Sequence, residues 1–221
     1  MLNFVHGNLY STALELSRKF TTKNEIRPVL NYVHHTNDGR MEATDSHRAI
    51  MFHDIHGFEK DYLVHPKTFN IATGDFPELP KLFENTGYEH VVTLSKEQIM
   101  LWLQLFRSIN NTLRTMKVGQ RTDSNKPVHL HFKQDYVNVT LAGLDVSMKL
   151  PASVLKPGFE PIAVNAEFIR DTMEVFSKME TQEIQIRLHG ALRPILFEDK
   201  GKIEILVLPI RGGYPIEEAE E

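Results

Sequence analysis

The stretch that decides the fold reads Arg27-Pro28-Val29-Leu30-Asn31-Tyr32-Val33, then Asp38-Gly39-Arg40, then Ala43-Thr44-Asp45-Ser46-His47-Arg48-Ala49. Its apolar runs predict strands over residues 28–34 and 40–53. The polar segment Asn37-Asp38-Gly39 between them has the composition preferred at tight hairpin connections. We therefore interpret this stretch as a β-hairpin.

Outward from the hairpin, the chain repeats one order of parts: a short strand, a helix cap, an amphipathic helix and then strands. In the first copy, residues 2–5 precede a helix over about residues 8–20. Its apolar face is formed by Leu9, Ala13, Leu16 and Phe20. The hairpin completes this copy.

Two further copies follow. One begins with a strand over residues 90–94, and Ser95 with Gln98 forms a capping-box pattern before its helix. The other has a strand over residues 161–164 and Asn165 as the N-cap of its helix. The strands after these two helices are predicted over residues 128–132, 136–141, 183–188, 194–198 and 203–209. Residues 61–87 are rich in Pro and Gly, and we interpret them as a partial unit that connects the first copy to the second.

Composition bounds the class of protein. The 221 residues are 41% hydrophobic and carry a net charge of −4, with no cysteine. No apolar stretch approaches the roughly 18 residues that span a membrane, so we expect a soluble, cytoplasmic protein with no membrane association. The lack of cysteine excludes disulfides, thiolate metal sites and a cysteine nucleophile. The negative net charge argues against a protein that holds DNA by bulk electrostatics.

Two motifs point to a family. The opening stretch resembles the middle domain of the bacterial DNA polymerase III beta subunit, the sliding clamp, which reads R-P-[VI]-L, a D-G turn and A-T-D-[GS]-H-R-L. The run Leu206-Val207-Leu208-Pro209-Ile210-Arg211 is similar to the closing V-M-P-M-R-L of that family. Supporting resemblances are Asn165-Ala166-Glu167-Phe168-Ile169-Arg170-Asp171, to its N-x-x-[YF]-[LV]-x-[DE] helix start, and Thr73-Gly74-Asp75-Phe76-Pro77, to its G-x-F-P-[DE] segment.

The resemblance implies an α+β fold of DNA-clamp (processivity-fold) architecture, with repeated units, antiparallel sheets and helices on one face. Family members have three similar domains, and their dimers close a six-domain ring around DNA. We expect this chain to contain a partial clamp domain at residues 1–88, a complete clamp-like domain at residues 89–211 and an acidic tail at residues 212–221. A homo-oligomer is expected, with the copy number left open.

The family holds short linear peptides of partner proteins in an apolar cleft. Carried over by position, the resemblance assigns the cleft to Thr44, Ser46, His47, Arg48, Ala49, Asn165, Phe168, Leu206, Leu208, Pro209, Ile210 and Arg211. The apolar members suit Leu or Phe anchors, and the basic members supply donors for a peptide backbone or acid. The alternative is that these residues are an ordinary strand end and a core strand.

Contact with double-stranded DNA is expected to be weak and independent of sequence. From Arg107 to Lys126 there are five basic residues against Asp123 alone, so basic charge is concentrated locally. The predicted DNA-contact residues are Arg18, Lys19, Lys96, Arg107, Arg114, Lys117, Arg121 and Lys126. Solvated helix faces have a similar mixture of charges, which is the alternative interpretation.

A metal-binding or catalytic function has little support in the sequence. His34 with His35, His53 with His56, and His129 with His131 could suggest a metal, but no third ligand stands at a recognised spacing. Hydrolase and nucleotide-binding motifs are missing from the sequence, so we expect no catalytic residue, metal or cofactor.

The leading hypothesis is a non-catalytic, sliding-clamp-like processivity factor that docks DNA polymerase or other clamp-binding proteins. The second hypothesis is a decoy that does not encircle DNA and competes for clamp-binding peptides. A metal-dependent hydrolase on an unrelated α+β fold is the third.

Overall fold

The computed structural model describes residues 4–23, 26–84, 87–116, 127–141, 144–154, 156 and 158–211. Its helices are α1 (Tyr10–Ser17), α2 (Pro80–Phe83), α3 (Lys96–Thr115) and α4 (Ala166–Lys178). The strands are β1 (Val33–His35), β2 (Met41–Thr44), β3 (Arg48–Phe52), β4 (Tyr62–Val64), β5 (Ile71–Ala72), β6 (His90–Ser95), β7 (Pro127–Phe132), β8 (Tyr136–Leu141), β9 (Ser147–Pro151), β10 (Ser153–Val154), β11 (Ile162–Asn165), β12 (Glu183–Leu188), β13 (Ile195–Asp199) and β14 (Ile203–Val207).

The strands form two antiparallel sheets. One has ten strands in the order β10-β6-β12-β13-β14-β3-β2-β1-β4-β5, and the other has four in the order β11-β7-β8-β9. The ten-stranded sheet is continuous across the chain because β3 pairs with β14, with Ile50 opposite Ile205. The first third of the sequence and the last strand are therefore joined by backbone hydrogen bonds.

The core lies between the sheets and a layer of helices. α3 packs along α4, and α4 also contacts α1. Large apolar side chains from helices and strands are fully buried there, including Phe20, Trp102, Phe106, Phe176 and Phe197. The expected α+β fold of antiparallel sheets covered by helices is confirmed. The expectation that all helices lie on one face is met by α1, α3 and α4 but not by α2, which packs on the other face of the ten-stranded sheet.

Both predicted helix caps are present. The Ser95 hydroxyl accepts a hydrogen bond from Gln98 N at 3.4 Å, and Ser95 N donates to Gln98 Oε1 at 2.8 Å, which completes the capping box. Asn165 Oδ1 accepts from Glu167 N at 2.9 Å at the start of α4. These contacts satisfy backbone donors that the first turn of a helix leaves without a partner.

The predicted strand over residues 28–34 is wrong in its first half. Pro28–Asn31 forms a 3₁₀ turn, and only Val33–His35 is a strand. Proline is well suited to the first turn of a helix because its missing N–H needs no partner there. Tyr32 N then closes the turn on Val29 O at 3.1 Å.

The predicted strand over residues 40–53 is two strands, β2 and β3, joined by a tight turn. Asp45 makes the turn, since its Oδ1 accepts from His47 N at 3.0 Å and from Arg48 N at 2.9 Å. Ser46 has a positive φ of 74°, in the left-handed region that turns require. Asp45 and Ser46 are residues favoured in turns, so the polar run between the two buried strands marks the break that the prediction missed.

Residues 61–84 contribute β4, β5 and α2 rather than a full repeat. Leu79 and Phe83 of this segment cover the outer face of the ten-stranded sheet, where they pack on Ala49, Leu196 and Leu206. The sequence prediction missed β9 and β10, which border the two sheets. Within the described residues, no helix has the length and apolar character needed to cross a bilayer.

Candidate partner-binding and DNA-facing surfaces

Arg48 begins β3 directly after the turn, and its side chain is the centre of a buried network of contacts. Its Nε donates to Asp45 Oδ2 at 3.0 Å and one terminal nitrogen donates to Asp171 Oδ2 at 2.9 Å. The other terminal nitrogen donates to the backbone oxygen of Lys19. The guanidinium carbon lies 4.8 Å from the ring centre of Phe20 and 4.3 Å from that of Phe168.

Arg48 is therefore a structural residue. Its side chain is 7% exposed and that of Asp171 is 4% exposed, so the pair is a buried salt bridge between the first repeat and α4. The sequence analysis assigned Arg48 to peptide binding, but its donors are used inside the protein. Cation–π contacts on two rings add to the stability of this arrangement.

The charge state of Asp171 follows from these contacts. Burial alone raises the pKa of a carboxyl group, but the Arg48 guanidinium and hydrogen bonds from Lys19 and Arg170 outweigh it. The pKa of Asp171 is consequently held below its ordinary value. A carboxylate in this position keeps the buried cation neutralised.

His47 lies outside this buried cluster, next to the residue that follows the last strand. Leu208 N donates to His47 O at 2.9 Å, which extends the β3–β14 ladder by one residue. The His47 ring is exposed and lies nearly parallel to Phe168, with ring centres 6.5 Å apart. Leu208 is 41% exposed. Three separate segments thus meet at His47: Phe168 lies beside its ring, and the backbone of Leu208 is hydrogen-bonded to its carbonyl oxygen.

The predicted cleft residues divide into a buried and an accessible set. The buried set is Thr44, Arg48, Ala49, Asn165 and Leu206. The accessible or partly accessible set is Ser46, His47, Phe168, Leu208, Pro209, Ile210 and Arg211. Thr44 Oγ1 donates to Arg48 O at 2.8 Å and so belongs to the turn. Ile210 N donates to Ala163 O at 2.8 Å, which holds the segment after β14 beside β11.

One apolar side chain was missed by the sequence analysis. Leu82 of α2 is 55% exposed, although its neighbours Leu79 and Phe83 are buried on the sheet beside Leu206. An exposed leucine indicates an interaction surface only when the structure shows which other apolar groups lie beside it. The run 79–83 alone has the pattern of a short amphipathic segment, and nothing in that pattern distinguishes Leu82 from an ordinary exposed residue.

The helix layer carries charges of both signs that are paired with one another. Lys19 Nζ lies 2.9 Å from both Asp171 and Glu174. Arg107 and Lys178 each approach Glu174 at 3.6 Å. Burial acts to raise the pKa of Glu174, but Lys19, Lys178 and Arg107 together lower it below its ordinary value. The ammonium of Lys19, a predicted DNA contact, is thus engaged inside the protein.

Other predicted DNA contacts are more accessible. Arg18, Lys96, Arg107 and Arg114 are all exposed. Lys96 and Arg114 lie at opposite ends of α3, and Arg107 lies between them. Lys117, Arg121 and Lys126 lie outside the described residues, as does the predicted acidic tail.

The histidine pairs have other partners. His34 Nδ1 lies 3.3 Å from Glu42, and His53 Nε2 lies 2.7 Å from Glu204. The ring centres of His129 and His131 are 6.5 Å apart and tilted. In the part of the chain that the structure describes, no three His, Cys, Asp or Glu side chains are grouped so that they could hold a metal ion.

Comparison with solved structures defines the class of this fold: it is that of the bacterial DNA sliding clamps. The DNA polymerase sliding clamp of Bacillus subtilis superposes with a TM-score of 0.73 at 15% identity, covering 96% of this chain and 66% of that one. The DNA polymerase beta subunit of Streptococcus pyogenes gives 0.71 at 15% identity, with 96% and 68% covered. The DNA polymerase III beta subunit of Thermotoga maritima gives 0.67 at 17% identity, with 91% and 64% covered.

The two sequence motifs indicate a resemblance to the DNA polymerase III beta subunit, and these matches confirm that resemblance at the level of the fold. The chain spans about two thirds of the length of these clamps, 64% of the Thermotoga maritima protein and 66% of the Bacillus subtilis protein. No family model matches the sequence, and no curated protein matches it.

Proposed function

We propose that this protein is a non-catalytic, sliding-clamp-like processivity factor that docks short peptides of a DNA polymerase or another clamp-binding protein. The observation that carries the proposal is the meeting of three segments at His47, which lies in the turn after β2: Phe168 at the start of α4 approaches its ring, and exposed Leu208 after β14 is bonded to its backbone. A peptide anchor of Leu or Phe fits such a surface, because the leucine and the ring offer apolar area and the imidazole offers a donor.

The buried salt bridge beneath this surface supports the proposal. Arg48 and Asp171 fix the turn against α4, so His47 and Phe168 are held in place before any peptide binds. A surface that is already ordered loses less conformational entropy on binding than a flexible one. The surface therefore suits the capture of short, disordered peptides.

Peptide titration tests the site. A fluorescein-labelled peptide with Leu and Phe anchors should bind the protein, and its fluorescence anisotropy should rise on titration. We expect Leu208→Ala to weaken binding by about tenfold or more, since about 1.4 kcal/mol corresponds to a factor of ten. His47→Ala should weaken it to a smaller extent. Leu192→Ala, an exposed leucine in the loop between β12 and β13, is the matched control. Equal affinity of the Leu208→Ala and Leu192→Ala variants would rule out this surface.

DNA contact is proposed for the helix layer, through α3. Because phosphate contacts release counterions, the logarithm of affinity falls with the logarithm of salt by about 0.9 for each contact. Replacing Arg107 or Arg114 with Ala should therefore reduce the salt slope by about one unit each. Binding should be the same for DNA of unrelated sequences. A slope that neither substitution alters would show that α3 does not face the DNA.

A decoy that binds clamp-binding peptides without encircling DNA is the second candidate. The observation in its favour is the mutual pairing of Lys19, Arg107 and Lys178 with Glu174, which reduces the basic excess of the helix layer. Retention on nicked circular plasmid DNA separates the two. A ring stays on the circle after a salt wash and leaves when the DNA is cut, whereas a decoy is not retained in either form.

A further inference from the structure

In residues 90–207, each repeat is covered by the other. β6, the first strand of one repeat, pairs with β12 of the next, and β11 pairs with β7 in the same way. α3 of the one packs along α4 of the other. The apolar face of each helix is therefore closed by the helix of its neighbour.

The repeat formed by α1 and β1–β3 lacks such a neighbour within the described residues. β4 pairs antiparallel with β1, just as β6 pairs with β12. However, β6 leads into α3, whereas β4 leads into a turn in which Phe69 N donates to His65 O at 2.8 Å. The chain then returns directly as β5, paired with β4. α3 has a partner helix, α4, along its side. In the described chain, the residues directly after β4 form no helix in the equivalent position beside α1.

A cavity of about 880 Å³ lies at this position, between α1 and the β4–β5 segment. The α1 residues that line it are Tyr10, Ser11, Leu14 and Glu15, and Arg18 follows directly after the helix; their spacing is that of one helix face. At the other side of the cavity, Phe69 is 65% exposed and Ile71 is 67% exposed. Large apolar side chains exposed together beside a concave surface mark an interaction site.

We propose that this face binds the same face of a second copy of the chain, so that two such repeats complete one helix-paired clamp domain between them. A second copy is the expected partner because, in residues 90–207, each repeat is covered by another repeat of the same kind. The charges also fit. Glu15, Arg18 and Lys67 line the cavity, so a twofold axis can place the acidic residue of one copy against a basic residue of the other.

The pairing makes the number of chains in the assembly even. Each chain contributes one complete domain and half of a shared one, so four chains supply six domains, the number in the ring that the resemblance implies. That ring rests on the proposed clamp function, but the pairing itself does not. It involves none of the residues of the His47–Leu208 surface, so failure of either proposal leaves the other testable.

Solution mass is the first test. Light scattering should give the mass of two or four chains of 25.5 kDa. The double variant Phe69→Asp/Ile71→Asp should halve that number, because charged side chains would be buried in the interface. Leu192→Asp, on a different exposed loop, should leave the mass unchanged. A monomer up to the solubility limit, a trimer, or a double variant with wild-type mass would overturn the proposal.

Cross-linking tests the face itself and does not depend on disrupting it. The chain has no cysteine, so single substitutions report one site each. A short bismaleimide should join two chains through Ser11→Cys or Phe69→Cys and should not join them through Leu192→Cys. Circular dichroism confirms that each variant is folded. Cross-linking at Leu192→Cys but at neither of the other two sites would place the contact elsewhere and overturn the proposal.

Discussion

Replacing Asp171 with Asn should destabilise the protein severely. The carboxylate accepts hydrogen bonds from Arg48 at 2.9 Å, Lys19 at 2.9 Å and Arg170 at 2.7 Å. Asparagine keeps the shape but removes the charge, which leaves the Arg48 guanidinium buried with only Asp45 to neutralise it. Breaking a buried ion pair by removing one partner costs about 3–5 kcal/mol.

Urea denaturation followed by circular dichroism measures this loss as a change in the free energy of unfolding. Glu78→Gln is the matched control, because its salt bridge with Lys81 is exposed and should add little to stability. The double variant Arg48→Met/Asp171→Leu should recover much of the stability, since apolar residues of similar volume carry no unpaired charge. A loss in Asp171→Asn no larger than that in Glu78→Gln would refute the argument that this pair is buried and coupled.

The other stability predictions concern pH and helix capping. Burial, reinforced by the nearby His56, lowers the pKa of His35 to about 4. An unfolded histidine binds a proton from about pH 6.5 downward. The stability that depends on neutral His35 is therefore fully present above pH 6.5 and is lost as the pH falls toward 4. The loss is about 3 kcal/mol at 1.36 kcal/mol per pKa unit. His35→Gln should flatten this part of a curve of unfolding free energy against pH. An unchanged slope would contradict the attribution of this pH dependence to His35. The depressed pKa of Asp171 acts at lower pH, where stability should fall below about pH 4 in the wild type and less steeply in Asp171→Asn. Ser95→Ala should cost about 1 kcal/mol, because it removes the capping box of α3, and chemical denaturation that shows no loss would mean the cap is dispensable.

Sequence reasoning succeeded where local pattern and structure agree. The helix starts at Ser95 and Asn165 were predictable because capping is decided within four residues. The alternation of β8 was readable for the same reason, since one face of that strand is buried and the other is partly exposed, and β7 departs from this pattern only at buried His129. Those elements depend little on the rest of the chain.

Most failures lie where tertiary structure decides. One failure was avoidable, since β2 and β3 were predicted as one strand although Asp45 and Ser46 between them are residues favoured in turns. The assignment of Arg48 to the peptide cleft stays a prediction, but its salt bridge with Asp171 was not foreseen because the two residues are 123 positions apart in the sequence. The cavity beside α1 was not foreseen, since the sequence shows the pattern of α1 but not which residues cover it.

The roles of Arg48 and of the His47–Leu208 surface are physically linked, and this leads to a last prediction. Arg48 and Asp45 fix the turn, and the turn directs the His47 carbonyl toward Leu208 N. Weakening the Arg48–Asp171 pair should therefore loosen the proposed peptide surface. At a temperature where Asp171→Asn remains folded, its peptide affinity should fall severalfold, and the Arg48→Met/Asp171→Leu variant should recover stability more fully than affinity. Affinity that follows stability in both variants would mean that the pair supports the fold as a whole and does not position His47.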